Sequence, residues 1–390
     1  MLELKLMFWS ATALVFYTYV GYPLVLALGA HGKRNNTHET NNHIPEFPSV
    51  TLLIPASNEE QWIARKIENA LALVYPRDRL EIVVASDGST DRTVQIARRY
   101  VQRGVTVVAF PMHLGKQEML NRLAPNAAGD ILVMTDANAL LATDALEQLV
   151  GPFADPNVGC SIGRRVCIVQ QRSVPSLAES FYWRYESWIK QAENRWHSCL
   201  AATGQLYAVR RSVFPHVERV GEDFYIPMKV FASTGKRIAY VPAAVAAIPA
   251  AASLSIEFER KTRAHVAFLI SLPLLRNLLA PARTPVWWQF ISHHVLRMLV
   301  PPAMLAAFFC AAGLGLETPF YFFAMLAQIL FYGLAVIGWV FAILGSRPRI
   351  VYFPFYFVFV QLALAQSWLR WPRGKFDYAW QRTERLTDPN

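Results

Sequence analysis

The chain has 390 residues, of which 54% are hydrophobic, and a formal net charge of +10. A mean hydropathy of +0.23 excludes a wholly soluble protein, and the positive charge favours an anionic lipid surface or a phosphorylated ligand as partner. Nucleic acid competes for any basic protein, but no nucleic-acid-binding motif occurs, so none is expected as a partner.

Residues 6–30 contain no ionisable side chain and would extend roughly 37 Å as a helix, enough to cross a bilayer with some tilt. The front, MLELK, is not the basic front of a cleaved signal peptide, so an uncleaved anchor is expected. His31, Lys33 and Arg34 follow directly and place the body of the protein on the cytoplasmic side. A polar segment ending in two prolines reads as a linker, giving an anchor-and-linker unit over 1–48. Cys160, Cys167, Cys199 and Cys310 have no CxxC spacing and are expected as thiols, which suits a reducing compartment.

The next unit is expected over 49–253. It opens with the strand-like TLLI, and Ser57 with Glu60 forms an S-x-x-E capping pattern. Ile63, Ile67, Ala70, Leu71 and Val74 then recur at helical spacing. EIVVAS is a second strand, ending at Asp87 and Gly88, where glycine permits backbone geometry closed to other residues. Ser89, Thr90 and Asp91 offer oxygens to the amides of a second helix marked by Val94, Ala97 and Val101. VTVVAF and DILVMTDAN supply two further strands, with a helix through Met119, Leu120 and Leu123 between them. This alternation predicts a mostly parallel, Rossmann-like α/β sheet with right-handed crossovers and its ligand loops along one edge.

The aromatic stretch 178–200 reads either as a membrane-facing or acceptor-binding helix or as a helix packed on the sheet. Residues 254–298 mix apolar, aromatic and basic side chains, the pattern of helices in the membrane interface. Apolar runs at about 299–316, 320–344 and 350–369 read as C-terminal spans within 299–371, followed by a polar tail over 372–390. Strict alternation puts Arg347 and Arg349 inside but the tail's Arg370, Arg373 and Lys375 outside. These signals conflict, which points to one run as interfacial or re-entrant.

Asp87 and Asp136 both follow apolar strands, so their carboxylates are expected on one rim, where they can hold a nucleotide and its metal. Mg²⁺ or Mn²⁺ takes oxygen ligands, usually one or two carboxylates completed by phosphate oxygens and water. Asp136 and the amide oxygen of Asn138 offer that seat. Neither G-x-G-x-x-G after a strand nor G-x-x-x-x-G-K-[ST] occurs, so dinucleotide enzymes and P-loop ATPases lack their phosphate cradles.

In the order IPASNEE, SDGSTD, GKQEMLN, TDAN, ATGQLYAVRR and GED, the chain from about 49 to 265 resembles the family 2 glycosyltransferases, membrane-anchored enzymes with a GT-A nucleotide-sugar-binding domain. The resemblance implies that Pro55, Ala56 and Glu59 border the nucleoside, that Asp87 contacts uracil or ribose, and that Lys116 lies near the donor. It further implies a metal on Asp136, an acceptor beside Gly204 and Gln205, and Asp223 as general base. Glu222 and Asp223 are adjacent, and only one of them is expected to face the cleft.

Two departures matter. Cellulose- and hyaluronan-synthase-like members carry Q-x-x-R-W beyond the catalytic acid, whereas the matching stretch here is Arg260-Lys261-Thr262-Arg263-Ala264. Arg260 and Arg263 can still reach a donor diphosphate, but Ala264 offers no stacking platform for a growing chain. Asn138 also stands where many relatives have Asp, which lowers the charge of the metal seat. The expectation is therefore an inverting inner-membrane transferase with its catalytic domain in the cytoplasm, moving sugar from a UDP-linked donor to a lipid-linked or saccharide acceptor. A processive synthase is the alternative. A transporter or scaffold is disfavoured because the spans lack the ionisable groups that mark substrate pathways.

Overall fold

The computed structural model describes residues 1–30, 46–168, 174–200, 204–218, 220–249, 251, 253–281, 286–344 and 349–373. The basic flank at His31, Lys33 and Arg34, most of the linker, Arg347 and the tail from 374 lie outside them. Helices α1 (Leu2–Phe16) and α2 (Tyr22–Ala30) join through a π turn into one apolar rod.

The elements of the sheet domain follow in order as β1 (Val50–Ala56), α3 (Ile63–Leu71), β2 (Leu80–Asp87), α4 (Thr93–Arg98), β3 (Val105–Phe110), α5 (Lys116–Leu123) and β4 (Ile131–Met134). The chain continues through β5 (Leu140–Leu141), α6 (Ala145–Val150), β6 (Val158–Ile168), α7 (Val174–Trp196), β7 (Tyr207–Arg210), α8 (Glu222–Thr234), β8 (Arg237–Pro249) and α9 (Leu254–Ser271). Among the described residues eight strands form one sheet in the order β3-β2-β1-β4-β7-β6-β8-β5. The first four are parallel, as the alternation predicts. β7 enters antiparallel to both β4 and β6, and so makes the sheet mixed.

Ile63, Ile67 and Ala70 are fully buried and seat α3 on one sheet face with Leu52, Ile54 and Val84. The predicted capping box does not form. Trp62 precedes the helix without a side-chain cap, and Ser57 and Glu60 turn instead to the neighbouring loop. On the opposite face Leu53, Leu120, Tyr207, Tyr225 and Phe268 share a core that continues into the C-terminal helices.

Those are α10 (Trp287–Phe290), α11 (Leu296–Leu314), α12 (Pro319–Ile343) and α13 (Arg349–Arg370). A π turn at Ile291–Val295 fuses α10 to α11, so 287–298, expected at the interface, belongs to a helix of spanning length. The π turn precedes Pro301 and Pro302, whose missing N–H groups disturb the regular ladder. Among the described residues four helices are long and apolar enough to cross a membrane: Leu2–Gly29, Trp287–Leu314, Pro319–Ile343 and Ile350–Arg373. None of the four cysteines is in a disulfide.

α7 follows the second reading of its aromatic stretch, a helix packed on the sheet. It packs on β6 and β8 and also meets α2, where the Tyr22 hydroxyl donates to Glu193 at 2.5 Å. Glu193 also takes His293 Nδ1 at 2.6 Å and the Leu200 amide at 3.3 Å, tying α2 and the π turn before α11 to the segment that follows α7.

Candidate active site

The loops after β1 and β2 lace together at the carboxyl ends of the parallel strands. Asn58 adopts φ +53°, a left-handed conformation that asparagine tolerates, and its Oδ1 accepts from the Thr90 and Asp91 amides. In return Ser89 Oγ, Thr93 Oγ1 and Asp91 Oδ2 accept from the amides of Asn58, Glu59 and Glu60. Asp91 Oδ1 meets the Thr93 amide at 2.9 Å, as a helix-starting side chain should. Pro55, Ala56 and Glu59 therefore sit on one rigid rim, with Glu59 buried.

Asp87 is fully buried, and its carboxylate is engaged by the protein itself. It accepts from the Leu114 amide at 2.6 Å and the Gly115 amide at 3.0 Å, and pairs with His113 Nδ1 at 2.9 Å. Gly88, at φ +61°, allows this approach, since a β-carbon there would stand 2.6 Å from the His113 nitrogen. Asp87 thus fixes the segment that opens α5 and carries Lys116.

Lys116 Nζ lies 3.0 Å from Asp136 Oδ1 and 2.7 Å from Glu222 Oε1, joining the end of β4 to the start of α8. Burial works against this ammonium, but the Asp136 and Glu222 carboxylates hold it well above the usual lysine range. Asp223 follows on the same first turn of α8 and accepts from the Phe224 amide at 2.9 Å. Burial, reinforced by the Glu222 carboxylate and opposed by Lys116, pushes Asp223 up to about 6. Both acids thus join the rim cluster, contrary to the expectation that only one would. A helix start makes this possible, because consecutive side chains fan around the end of the axis where unpaired amides favour negative charge.

Gln205 Nε2 reaches Asp136 Oδ2 at 3.4 Å, and a β-carbon on Gly204 would stand 3.1 Å from Asp223 Oδ2. The structure therefore brings Lys116, Asp136, Gly204, Gln205 and Asp223 together. Asn138 lies two residues beyond Asp136, and its Oδ1 is buried with no hydrogen-bond partner. An unsatisfied amide oxygen close in the chain to a carboxylate fits a hard divalent cation that completes its shell with phosphate. No three His, Cys, Asp or Glu groups converge as a metal cage among the described residues.

The two arginines of α9 differ in their surroundings. Arg260 closes an ion pair with Glu257 on its own helix at 2.5 Å, which competes with any diphosphate. Arg263 lies one turn before Ala267, whose Cβ would stand 2.9 Å from a β-carbon built on Gly221, so that turn of α9 borders the start of α8.

Sequence reasoning missed Lys66 and Tyr207, and weighed Glu222 only as the alternative to Asp223. Lys66 occupies the buried face of α3, and its Nζ donates to Thr135 Oγ1 at 2.8 Å and to the Ala139 carbonyl. Burial, opposed by Asp136, pulls it down to about 7. A lysine three residues after Ile63 in an otherwise apolar stripe was the available signal. Tyr207 lies beneath the cluster with its hydroxyl buried and without a hydrogen-bond partner; burial, with Glu222 adding, raises it well above the ordinary tyrosine range.

Residues 51–217 match the family model described as Glycosyl transferase family 2. The probable glycosyltransferase YdaM of Bacillus subtilis (strain 168) is 28% identical over 225 residues, covering 54% of this chain and 53% of YdaM. A beta-monoglucosyldiacylglycerol synthase of Synechocystis sp. (strain ATCC 27184 / PCC 6803 / Kazusa) is 35% identical over 117 residues, 29% of this chain and 24% of the synthase. The chain thus spans about half, or less, of these curated relatives' length. A solved structure of the mannosyltransferase PcManGT from Pyrobaculum calidifontis, in complex with GDP-Man and Mn²⁺, superposes with a TM-score of 0.72 at 24% identity. It covers 96% of this chain and 100% of its own, so the likeness in fold extends beyond the sheet to the long apolar helices. The sheet is of GT-A type, the motif residues gather on one rim, and the segment 51–217 that carries them is similar to the family 2 glycosyltransferases.

Proposed function

We propose that this protein transfers a sugar, with inversion, from a nucleoside diphosphate donor to a lipid-linked or saccharide acceptor at a membrane surface. The observation that carries the reading is the convergence of Lys116, Asp136, Glu222 and Asp223 at the carboxyl edge of the sheet. Asp223 serves as base. Its carboxylate takes the proton of the acceptor hydroxyl while that oxygen attacks the anomeric carbon, and the bond from that carbon to the diphosphate oxygen breaks on the opposite face. A pKa near 6 leaves it deprotonated at neutral pH yet more basic than an ordinary aspartate.

Pro55, Ala56 and Glu59 border the nucleoside, and Asp87 acts by holding the segment before Lys116. Lys116 bonds the donor's diphosphate, with Asp136 and Glu222 releasing it in part as the anion enters. Asp136 and Asn138 would hold Mg²⁺ or Mn²⁺, which neutralises charge on the departing diphosphate when bound. Gly204 leaves room for the acceptor beside Asp223. Arg263, on the turn of α9 facing α8, is better placed toward the site than Arg260.

The sheet domain is placed on the cytoplasmic face of a bacterial-type inner membrane. Three of the span-length helices have most of their apolar windows open to the surroundings, whereas the window in Ile350–Arg373 is 56% buried within the protein. Phe355, Tyr356, Val360 and Leu364 of α13 join the core that holds Leu53 and Tyr207 of the sheet. Arg370 pairs with Glu259 of α9 at 2.5 Å. These contacts support α13 as a helix laid against the catalytic domain, leaving three crossings and putting Arg347, Arg349 and the basic tail on the cytoplasmic side.

A donor screen by nucleotide release from purified protein, using UDP- and GDP-sugars with and without Mn²⁺, tests the reading. Release with one donor, dependent on acceptor and abolished in Asp223→Asn, is expected. Absence of release with every donor overturns it.

A further inference from the structure

Lys66 has no exposed surface, although a leucine at that position would pack α3 without the cost of burying an ammonium. Its two hydrogen bonds are not scattered. Thr135 and Ala139, which receive them, bracket the turn carrying Asp136 and Asn138, and the Ala139 amide closes that turn onto the Asp136 carbonyl at 3.1 Å. Thr135 Oγ1 accepts from Lys66 and donates its own proton to the Gln205 carbonyl at 3.0 Å. Gln205 Nε2 in turn reaches Asp136 Oδ2 at 3.4 Å. One buried amine therefore fixes both ends of the 135–139 turn and the adjoining entry to β7.

We propose that Lys66 is a positioning residue for the diphosphate and metal seat, clamping the 135–139 turn so that Asp136 and Asn138 present their oxygens together. The inference rests on the donor reading above and adds a specific support to it. Without the clamp, Asp136 retains its ion pair with Lys116 but loses a fixed relation to Asn138, so the seat must be ordered at the expense of binding. Outer partners of this kind typically contribute 10- to 100-fold in metal affinity.

The test uses the full chain in detergent with UDP or GDP and Mn²⁺, titrated calorimetrically, for wild type, Lys66→Met and Thr135→Val. Lys66→Met keeps the apolar stem and removes the donors, whereas Thr135→Val removes the hydroxyl midway between Lys66 and Gln205. Both variants are expected to weaken Mn²⁺-dependent nucleotide binding by about 10- to 100-fold. The Mn²⁺ concentration for half-maximal turnover should rise in parallel, while kcat at saturating metal and donor stays within about threefold, a split that general loss of structure would not produce. If Lys66→Met does not fold, Thr135→Val carries the test alone. Metal affinity within twofold of wild type, or loss confined to kcat at saturation, overturns the role of Lys66. A wild-type protein that binds neither UDP nor GDP overturns the donor reading and this proposal with it.

Discussion

Gly204 faces Asp223 so closely that a β-carbon built on the glycine would stand 3.1 Å from Asp223 Oδ2. As the proposed base, that carboxylate has to meet an acceptor hydroxyl within hydrogen-bond reach, and Gly204 leaves the space open. Gly204→Ala is expected to lower kcat by about 10- to 100-fold while leaving nucleotide affinity near wild type, because it misplaces the base and not the donor. Steady-state kinetics with separate nucleotide titrations check this, and an unchanged kcat would count against the acceptor lying there.

Asp223→Asn preserves size and removes the proposed base. Turnover should fall by roughly two to four orders of magnitude with little change in nucleotide affinity. Near-normal turnover would show that another group takes the proton.

The pH profile follows from the same residue. With its pKa raised to about 6, Asp223 is protonated and idle below that value and active above it, so kcat/KM should rise through pH 6 and level off toward neutrality. Glu222 contributes to the upward shift, so Glu222→Gln should move the acid limb to lower pH. A limb that stays in place in this variant would mean that the titrating group is not Asp223.

Asp87 and Asp136 should separate in metal dependence. Removing the Asp87 carboxylate leaves the Leu114 and Gly115 amides and a histidine without their acceptor, so Asp87→Ala should cost about 1–3 kcal/mol of stability and weaken donor binding through Lys116. Asp136→Ala removes one of the two carboxylates that hold buried Lys116 and should lower stability as well, but unlike Asp87→Ala it should also flatten the dependence of donor binding on Mn²⁺. Denaturant unfolding and calorimetry measure the two effects, and equal metal sensitivity in both variants would contradict the assignment.

These contrasts mark what could be read from the chain. The parallel strands were legible because each couples a β-branched run to a turn, and the acids at their ends were legible because a strand end fixes where a side chain emerges. β7 was not, since YAVR is too short to reveal its direction. Asp87 reads from sequence as a ligand contact, but which atoms satisfy a buried carboxylate depends on a loop 26 to 28 residues away. Lys66 was hidden for the converse reason. Its partners are a hydroxyl and a carbonyl on a distant turn, and a carbonyl has no sequence signature. Ser57 and Glu60 match a capping box, yet the adjacent loop supplied partners that outcompeted the helix start.

The last expectation concerns the C-terminus. A helix crossing the bilayer should present most of its apolar surface to lipid, as Pro319–Ile343 does with only 11% of its window buried. α13 instead lends Phe355, Tyr356, Val360 and Leu364 to the catalytic core, and its end is tied to α9 through Arg370 and Glu259. If α13 lies against the domain, the tail shares a side with the sheet, and the positive-inside signal of Arg370, Arg373 and Lys375 agrees with that of Arg347 and Arg349. A cysteine introduced at Asn390 and another at the exposed Met112, each in an otherwise cysteine-free background, should then react with a membrane-impermeant maleimide only after the inner membrane is opened. Labelling of the Asn390 cysteine in intact spheroplasts while the Met112 cysteine stays protected would establish a fourth crossing and overturn this topology.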